Sequence, residues 1–218
     1  MLNISKLKYS YKENDINNDY DFSLYVKENE IVGIIGESGS GKSTLLDLIA
    51  GFLNPLSGSI RFNDIEITTL SAEDRPLTTL FQKYNTFEHL SVIKNVLLGI
   101  STSIKAKKED LEEAKMILKE VGLEGFEDKL ASTLSGGQSQ RVALARSLIR
   151  KKPILLLDEP FTGLDIHTRA KMLNLLEDIS KKRNLYTIMV THDLNDCEKI
   201  ANRVYKVEKN ELKEFNLF

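Results

Sequence analysis

Four short apolar runs stand out along the chain. Three are almost unbroken, from Ile31 to Ile35, from Ile154 to Leu157 and from Leu185 to Val190. Such runs are typical of parallel strands that are buried on both faces. The fourth run, from Leu77 to Phe81, predicts another core strand, which ends at Gln82.

The two ends of the chain show a different pattern, in which apolar residues alternate with polar ones. Alternation from Leu2 to Tyr11 and from Phe22 to Val26 predicts antiparallel strands joined by a polar turn over residues 14–19. A smaller hairpin is predicted from Ser59 to Ile67 around Asn63 and Asp64. Weak alternation over residues 204–215 predicts a closing strand or hairpin.

Residues 90–150 have the composition and spacing of helices. Apolar residues from Lys107 to Val121 follow a helical period and predict an amphipathic helix that Gly122 terminates. A second helix is predicted from Ser139 to Arg150. It follows the segment Leu134-Ser135-Gly136-Gly137-Gln138, where a serine and two glycines make a good helix start and also a possible anion site.

Composition and charge limit the class of protein. The 218 residues suffice for one large domain, and 30 basic against 32 acidic residues give a net charge of −2, which gives no support for nucleic-acid binding. The single cysteine, Cys197, excludes an internal disulfide and fits a reducing compartment. The first residues lack the apolar segment of a signal peptide, and no run is long enough to span a membrane. We therefore expect a cytoplasmic protein whose membrane role, if any, requires a partner that spans the membrane.

The first apolar run leads into a glycine-rich segment and then into a predicted helix. The segment reads Gly36-Glu37-Ser38-Gly39-Ser40-Gly41-Lys42-Ser43-Thr44. Its spacing is that of a phosphate-binding P-loop, in which backbone N–H groups and a helix N-terminus surround phosphate oxygens. Lys42 is predicted to lie between the β and γ phosphates, and the Ser43 hydroxyl is predicted to ligate Mg²⁺.

Polar groups also follow the other predicted core strands. Asp158 and Glu159 end the second run, and two carboxylates beside a core are unfavourable unless they meet a cation. We predict that Asp158 holds Mg²⁺ and that Glu159 polarises the attacking water. Gln82 is either simply solvated or contributes its amide oxygen to the metal, because the carboxyl ends of such strands face the ligand crevice. His192 is either a structural residue or a contact to the γ-phosphate or water.

Tyr11 lies at the end of a predicted strand ahead of the P-loop. It is equally well interpreted as a packing residue of that strand or as a ring that stacks on a nucleobase.

Six features in fixed order resemble the nucleotide-binding subunits of ATP-binding cassette (ABC) transporters, and the resemblance covers essentially the whole chain. The features are Tyr11, Gly36 to Thr44, Gln82, Leu134 to Gln138, Ile154 to Glu159, and His192. Leu-Ser-Gly-Gly-Gln between a P-loop and Leu-Leu-Asp-Glu is specific to this family. The resemblance implies one ABC ATPase domain over residues 1–218. Its α/β fold has a RecA-like P-loop core, an antiparallel β subdomain, and an α-helical subdomain at about residues 90–150.

The resemblance also implies ATP and Mg²⁺ as ligands and a head-to-tail homodimer with composite ATP sites. In that dimer the signature residues of one chain cover the γ-phosphate held by Lys42 of the other, and Asp165 lies at the seam. The expected ATP contacts are Tyr11 on adenine, residues Gly36, Glu37, Ser38, Gly39, Ser40, Gly41, Lys42, Ser43, Thr44 and Gln82, and Ser135, Gly136, Gly137 and Gln138 from the partner. The expected metal ligands are Ser43, Gln82 and Asp158, and the expected catalytic residues are Glu159 and His192.

By the same resemblance, the segment from Phe81 to Asn95 faces integral membrane permease subunits, and Gln82 couples the nucleotide state to them. A solute-binding protein is an indirect partner, and the chain is expected at the inner face of the cell membrane. Departures from the family pattern are Thr162-Gly163 in place of Ser-Ala, Ser139 in place of Arg, and Thr86 in place of a larger apolar residue. None of them removes a catalytic group.

Within the family, Gly51-Phe52-Leu53, Ser57-Gly58-Ser59 and Arg75-Pro76 are most similar to the ATPases of bacterial thiamine importers. Import of another small solute, such as ferric iron or an oxyanion, is the alternative. A mechanical, non-transport role at a membrane is a further one. ATPases of genome maintenance are disfavoured because they insert a long coiled coil between positions equivalent to Lys42 and Leu134.

Overall fold

The computed structural model describes residues 1–13, 16–81, 86–100 and 106–216. Its strands, in chain order, are β1 (Leu2–Glu13), β2 (Ile16–Val26), β3 (Ile31–Ile35), β4 (Ser57–Phe62), β5 (Ile65–Glu66), β6 (Leu77–Leu80), β7 (Ile154–Asp158), β8 (Tyr186–Val190), β9 (Arg203–Glu208) and β10 (Glu211–Phe215). Its α-helices are α1 (Lys42–Ala50), α2 (Val92–Leu97), α3 (Lys108–Glu120), α4 (Gly136–Leu148), α5 (Ile166–Lys182) and α6 (Leu194–Ile200). A short 3₁₀ helix spans Ala131–Thr133.

The described strands form one mixed sheet in the order β5-β4-β1-β2-β10-β9-β3-β8-β7-β6. The five strands from β9 to β6 run parallel to one another and include all four predicted core strands. Because β3, β8 and β7 are consecutive in the sheet, their carboxyl ends meet at one edge, where ligands of open α/β sheets bind. The α/β class implied by the family resemblance is confirmed.

The central strands are buried on both faces, and alternate residues enter two separate cores. Leu155 and Leu157 of β7 join a core with α4 and α5, while Ile154 and Leu156 join a core with α1. This arrangement explains why the strands are apolar without interruption. On the first face, a side chain at Gly33 of β3 would lie 2.5 Å from the Sγ atom of Cys197 in α6, so β3 and α6 pack closely there.

The remaining strands extend the sheet on one side by antiparallel pairing of β1 with β2 and β4, and of β4 with β5. The predicted small hairpin is confirmed, and its turn residues Asn63 and Asp64 both adopt left-handed backbone angles, with φ of 48° and 66°. The predicted turn over residues 14–19 is too long, because β2 already begins at Ile16. The predicted closing hairpin is β9 with β10.

Helices α2, α3 and α4 lie together between β6 and β7 in the chain. Helix α3 and its termination at Gly122, with φ of 72°, agree with the sequence pattern. The predicted start of the next helix at Ser139 is wrong, because α4 begins at Gly136. Ser135 and Gln138 form a capping box that includes both glycines in the first helical turn.

Candidate nucleotide and metal site

The glycine-rich loop lies at the carboxyl end of β3, between β3 and α1. Helix α1 starts after Gly41, which has φ of 105° and provides no side-chain cap for the first N–H groups of the helix. A side chain at Gly41 would lie 2.2 Å from the ring of Tyr20. Glycine is therefore required there both by the backbone angle and by the close approach of Tyr20. The result is a helix N-terminus whose donors are open to an anion.

Lys42 is buried and folds back over this loop. Its Nζ atom donates to the carbonyl oxygens of Gly36 at 2.9 Å and Glu37 at 2.6 Å. Burial lowers the pKa of Lys42, while the carboxylates of Glu159 and Asp158 raise it. The ammonium group is thus placed between the loop and two carboxylates, where phosphate oxygens can replace its carbonyl partners.

The Ser43 hydroxyl and the Asp158 carboxylate meet at the mouth of β7. Ser43 Oγ donates to Asp158 Oδ2 at 3.2 Å. Burial raises the pKa of Asp158, and the nearby Glu159 carboxylate adds to this effect. The described residues contain no group of three or more His, Cys, Asp or Glu side chains arranged to hold a metal. One carboxylate and one hydroxyl nevertheless fit Mg²⁺, which takes oxygen ligands and commonly completes its shell with substrate phosphates and water.

Glu159 and His192 come together from the ends of neighbouring strands β7 and β8. Glu159 Oε2 lies 3.1 Å from His192 Nδ1 and accepts a hydrogen bond from the Thr162 hydroxyl at 3.1 Å. The backbone N–H of Glu159 donates to the carbonyl of Val190, and φ of Glu159 is 45°. This left-handed angle is unusual for glutamate, and strained angles of this kind are concentrated at functional sites.

Tyr11 is partly exposed at the end of β1, beside the P-loop helix. Its hydroxyl lies 3.4 Å from Thr44 Oγ1, and its ring meets the rings of Tyr9 and Tyr20 edge-on at centroid distances of 4.9 and 6.2 Å. In such T-shaped pairs the edge of one ring lies against the face of the other, and the two contacts hold the Tyr11 ring in place. The stacking interpretation made from the sequence is compatible with this placement.

The signature residues Ser135, Gly136, Gly137 and Gln138 form the start of α4. Ser135 N–H donates to Gln138 Oε1 at 3.0 Å, and Gln138 N–H donates to Ser135 Oγ at 3.4 Å. A side chain at Gly137 would lie 2.5 Å from the Thr168 methyl group of α5, so glycine permits close packing of the two helices. This second helix start is a site separate from the P-loop.

Two site residues were missed by the sequence analysis, and one predicted residue lies outside the described part. Thr162 was noted only as a departure from the family pattern, yet its hydroxyl contacts Glu159. Arg169 of α5 was not singled out, although it binds Asp193 and Asp196 next to His192.

Gln82 belongs to residues 82–85, which the structure does not describe. In the described ranges, no helix is long and apolar enough to cross a membrane.

Comparison with known proteins supports the same assignment over the full length of the chain. The sequence profile of the ABC transporter family matches residues 20–162. The thiamine import ATP-binding protein ThiQ of Photobacterium profundum is 41% identical over 220 residues, covering 99% of this chain and 91% of the relative. The protein of the same name from Vibrio cholerae is 40% identical over 213 residues, covering 98% of this chain and 88% of the relative.

Among solved structures, the dimeric bacterial ABC transporter cassette MJ0796 is 31% identical, with a TM-score of 0.83, and covers 100% of this chain and 99% of that chain. The same identity, coverage and TM-score hold for a dimeric post-hydrolysis state of MJ0796 bound to ADP and Pi.

Proposed function

The chain belongs to the ABC transporter family, and on that premise we propose that it is the ATPase subunit that drives thiamine import. The ATPase activity is supported by three groups that meet at the ends of β3, β7 and β8. They are the P-loop, the Ser43–Asp158 pair and the Glu159–His192 pair. The solute assignment is supported by relatives named for thiamine import that cover nearly the whole chain.

ATP binding begins at the start of α1. The backbone of Gly36 to Thr44 surrounds the phosphates, and Lys42 exchanges its contacts with the Gly36 and Glu37 carbonyls for phosphate oxygens. Tyr11 supports the adenine ring. Ser43 and Asp158 would hold Mg²⁺, with Gln82 as a further ligand. When bound, the metal would supply positive charge beside the phosphates.

Hydrolysis requires a water molecule that is polarised at the γ-phosphate. Glu159 accepts a hydrogen bond from this water and increases its nucleophilicity. His192 and Thr162 both contact Glu159 Oε2, so they determine the direction in which the carboxylate points. His192 is side-chain exposed by 54%, which leaves its ring accessible to the γ-phosphate.

Two copies of the chain form the complete enzyme, as the dimeric cassette structures suggest. The start of α4 in one copy, with Ser135, Gly136, Gly137 and Gln138, covers the γ-phosphate that Lys42 holds in the other. Asp165 lies at the seam between them. Each composite site is then complete only when the two copies come together.

Residues 1–218 act as one ABC ATPase domain, bound to permease subunits at the inner face of the cell membrane. Support comes from two aromatic side chains that are exposed together near the carboxyl end of β6, Phe52 and Phe81, whose rings lie 5.9 Å apart. A pair of exposed aromatic rings is a favourable contact for a protein partner. A solute-binding protein delivers thiamine to the permease and does not contact this chain.

Uptake of labelled thiamine tests the transport assignment. Cells that lack the gene receive the wild-type chain or Glu159→Gln, and both proteins are quantified to ensure equal abundance. We expect only the wild-type chain to restore uptake. Normal uptake without the gene would contradict the thiamine assignment and leave the ATPase activity standing, and ferric iron and oxyanions would then be tested in the same strains.

The Glu159→Gln variant also tests the catalytic role directly. We expect hydrolysis to fall by about 10²- to 10⁴-fold, the usual contribution of a positioned general base, while ATP affinity is retained because the side chain keeps its shape. Light scattering should then detect a stable dimer in the presence of ATP. Hydrolysis near the wild-type rate would show that Glu159 is not the base.

A further inference from the structure

An ion-pair network joins α5 to α6 next to the candidate site. Arg169 of α5 binds Asp196 of α6 with both arms of its guanidinium group, Nε to Oδ1 at 2.7 Å and Nη2 to Oδ2 at 2.6 Å. Its third nitrogen, Nη1, lies 2.9 Å from Oδ2 of Asp193. One arginine therefore holds two carboxylates, and one of these belongs to the residue that follows His192.

The centre of this network is buried. The Asp196 side chain is only 4% exposed, and the Arg169 side chain 20%. A buried carboxylate is unfavourable unless its oxygens are all engaged, and here the Thr191 hydroxyl donates to Asp196 Oδ2 at 3.1 Å. The network accordingly has one well-defined geometry and resists displacement of any single member.

Both neighbours of His192 are attached to this network. Thr191 binds Asp196 through its hydroxyl, and its backbone N–H donates to the Ile34 carbonyl of β3 at 3.1 Å. Asp193 binds Arg169, and its backbone N–H donates to Thr191 Oγ1 at 3.1 Å. The imidazole between them is more than half exposed, so its position depends mainly on the backbone on either side.

The same arginine lies one helical turn after the start of α5. Its backbone N–H donates to the carbonyl of Asp165 at 2.9 Å, and the Asp165 side chain caps the helix. Arg169 thus lies between the turn at Thr162 to Asp165, which contacts Glu159, and the backbone that carries His192.

We infer that Arg169 is a positioning residue that holds His192 at Glu159 through Asp193 and Asp196. It also links the position of His192 to that of the turn at Asp165. The inference rests on the proposed function in one respect, since Glu159 and His192 must act in ATP hydrolysis. Arg169 itself contacts neither substrate nor metal in this arrangement.

A second arginine provides a matched control. Arg183, at the end of α5, binds Glu120 of α3 through Nε at 3.3 Å and Nη2 at 2.5 Å. This pair is also a two-armed arginine–carboxylate contact, but it lies near the amino end of β8, at the edge of the sheet opposite the candidate site. Loss of either pair costs stability, and only the loss of the first is expected to affect His192.

The experiment compares Arg169→Met with Arg183→Met in the full chain. Three quantities are measured for each variant: the single-turnover rate of ATP hydrolysis, the affinity for ATP, and the thermal midpoint. For Arg169→Met we expect a rate about 10- to 100-fold lower, since a displacement of about 1 Å has effects of this size, with ATP affinity changed less than about twofold. For Arg183→Met we expect the wild-type rate despite a lower midpoint.

The His192→Ala background separates positioning from a general structural effect. Residues that act as one unit are not additive, so Arg169→Met should cause no further loss of rate once His192 is absent. A further tenfold loss in that background would overturn the inference, as would a wild-type rate for Arg169→Met alone. If wild type hydrolyses no ATP, or if His192→Ala is as fast as wild type, it is the proposed function that fails.

Arg169→Lys answers the same question if Arg169→Met does not fold. Lysine keeps the charge and loses the two-armed contact. We expect a smaller fall in rate, of about three- to tenfold, which disappears in the His192→Ala background. A fall that persists in that background, or no fall at all in a folded Arg169→Lys protein, overturns the inference.

Discussion

The starts of α1 and α4 are both glycine-rich, and both present a helix N-terminus, but their N–H groups are satisfied differently. Helix α1 begins after Gly41 without a side-chain cap. Helix α4 begins after Ser135, and Ser135 and Gln138 cap it reciprocally. One start therefore leaves its donors to a ligand, while the other satisfies two of them within the chain.

This difference separates the two proposed contributions to the ATP site. The α1 start, with the buried Lys42, is expected to supply most of the affinity that a single chain has for ATP. The α4 start is folded without ligand, and the Ser135 hydroxyl, which accepts the cap bond, keeps its proton for donation to a phosphate of the partner's site. Variants at the start of α1 should accordingly change the affinity for ATP, and variants at the start of α4 should change stability and hydrolysis.

Lys42→Ala should have the largest effect on the affinity for ATP. Removing one charge-assisted contact to phosphate costs about 1.5–3 kcal/mol, so we expect ATP affinity to fall by about 10- to 100-fold and hydrolysis with it. Calorimetric titration with ATP measures the affinity, and Lys181→Ala, an exposed lysine paired with Glu177, is the control. Equal affinities of Lys42→Ala and wild type would show that the α1 start does not bind the phosphates.

Ser135→Ala should have an intermediate effect. In contrast to Lys42→Ala, it should lower stability and hydrolysis and leave the ATP affinity of a single chain unchanged. Loss of the cap should lower the free energy of unfolding by about 1 kcal/mol, and steady-state hydrolysis should fall by about tenfold, as expected for the loss of one hydrogen bond to a charged group. The affinity of a single chain for ATP should not change. The matched control is Ser91→Ala, because Ser91 precedes α2 without a side-chain cap bond. A lower affinity of the Ser135→Ala monomer would contradict the separation of the two starts.

Asp158→Asn should have the smallest effect on stability. It should make the folded protein slightly more stable. Burial raises the pKa of Asp158 above its value in the unfolded chain, so the folded state loses stability as the pH rises from the pKa of the unfolded chain through the raised pKa of the folded protein. Without nucleotide and Mg²⁺ we expect a thermal midpoint about 1–3 °C higher at pH 7 and a difference that vanishes at about pH 3, below the pKa of the unfolded chain.

Hydrolysis dependent on Mg²⁺ should nevertheless be lost in Asp158→Asn. Thermal scans from pH 3 to pH 8 measure the stability difference, with the exposed Asp128→Asn as control. A variant less stable than wild type at pH 7 would show that the carboxylate stabilises the folded protein without metal.

Features with a local signal in the sequence were predicted well. The strand, glycine loop and helix around Lys42 have the spacing that their chemistry requires, and the hairpin at Asn63 and Asp64 has the turn residues that it needs. Glu159 and His192 were each placed at the carboxyl end of a strand, which in parallel sheets is one shared edge, but their contact with each other was not predicted.

Features that depend on pairing between distant residues were not predicted. Arg169 and Asp196 are 27 positions apart, and on amphipathic helices such charges are usually solvated, so nothing in the spacing distinguishes this buried pair. Arg75 is another example, since it is almost fully buried and donates to the carbonyls of Leu48 and Ile49 at the end of α1. The sequence analysis named Ser135 and the two glycines as a helix start but began the helix itself at Ser139, because the reciprocal bonds that bring Gly136 and Gly137 into the first turn depend on the Gln138 side chain.

The close packing of Cys197 against Gly33 has a practical consequence for spectroscopy. Burial raises the pKa of the Cys197 thiol to about 12, and this cysteine is the only one in the sequence. A buried, protonated thiol reacts slowly with maleimides and nitroxide reagents. Ile166, which is 89% exposed beside Asp165, can therefore be replaced by cysteine and labelled selectively without first removing the natural one. Distances between two such labels would then follow the approach of two chains during the ATP cycle.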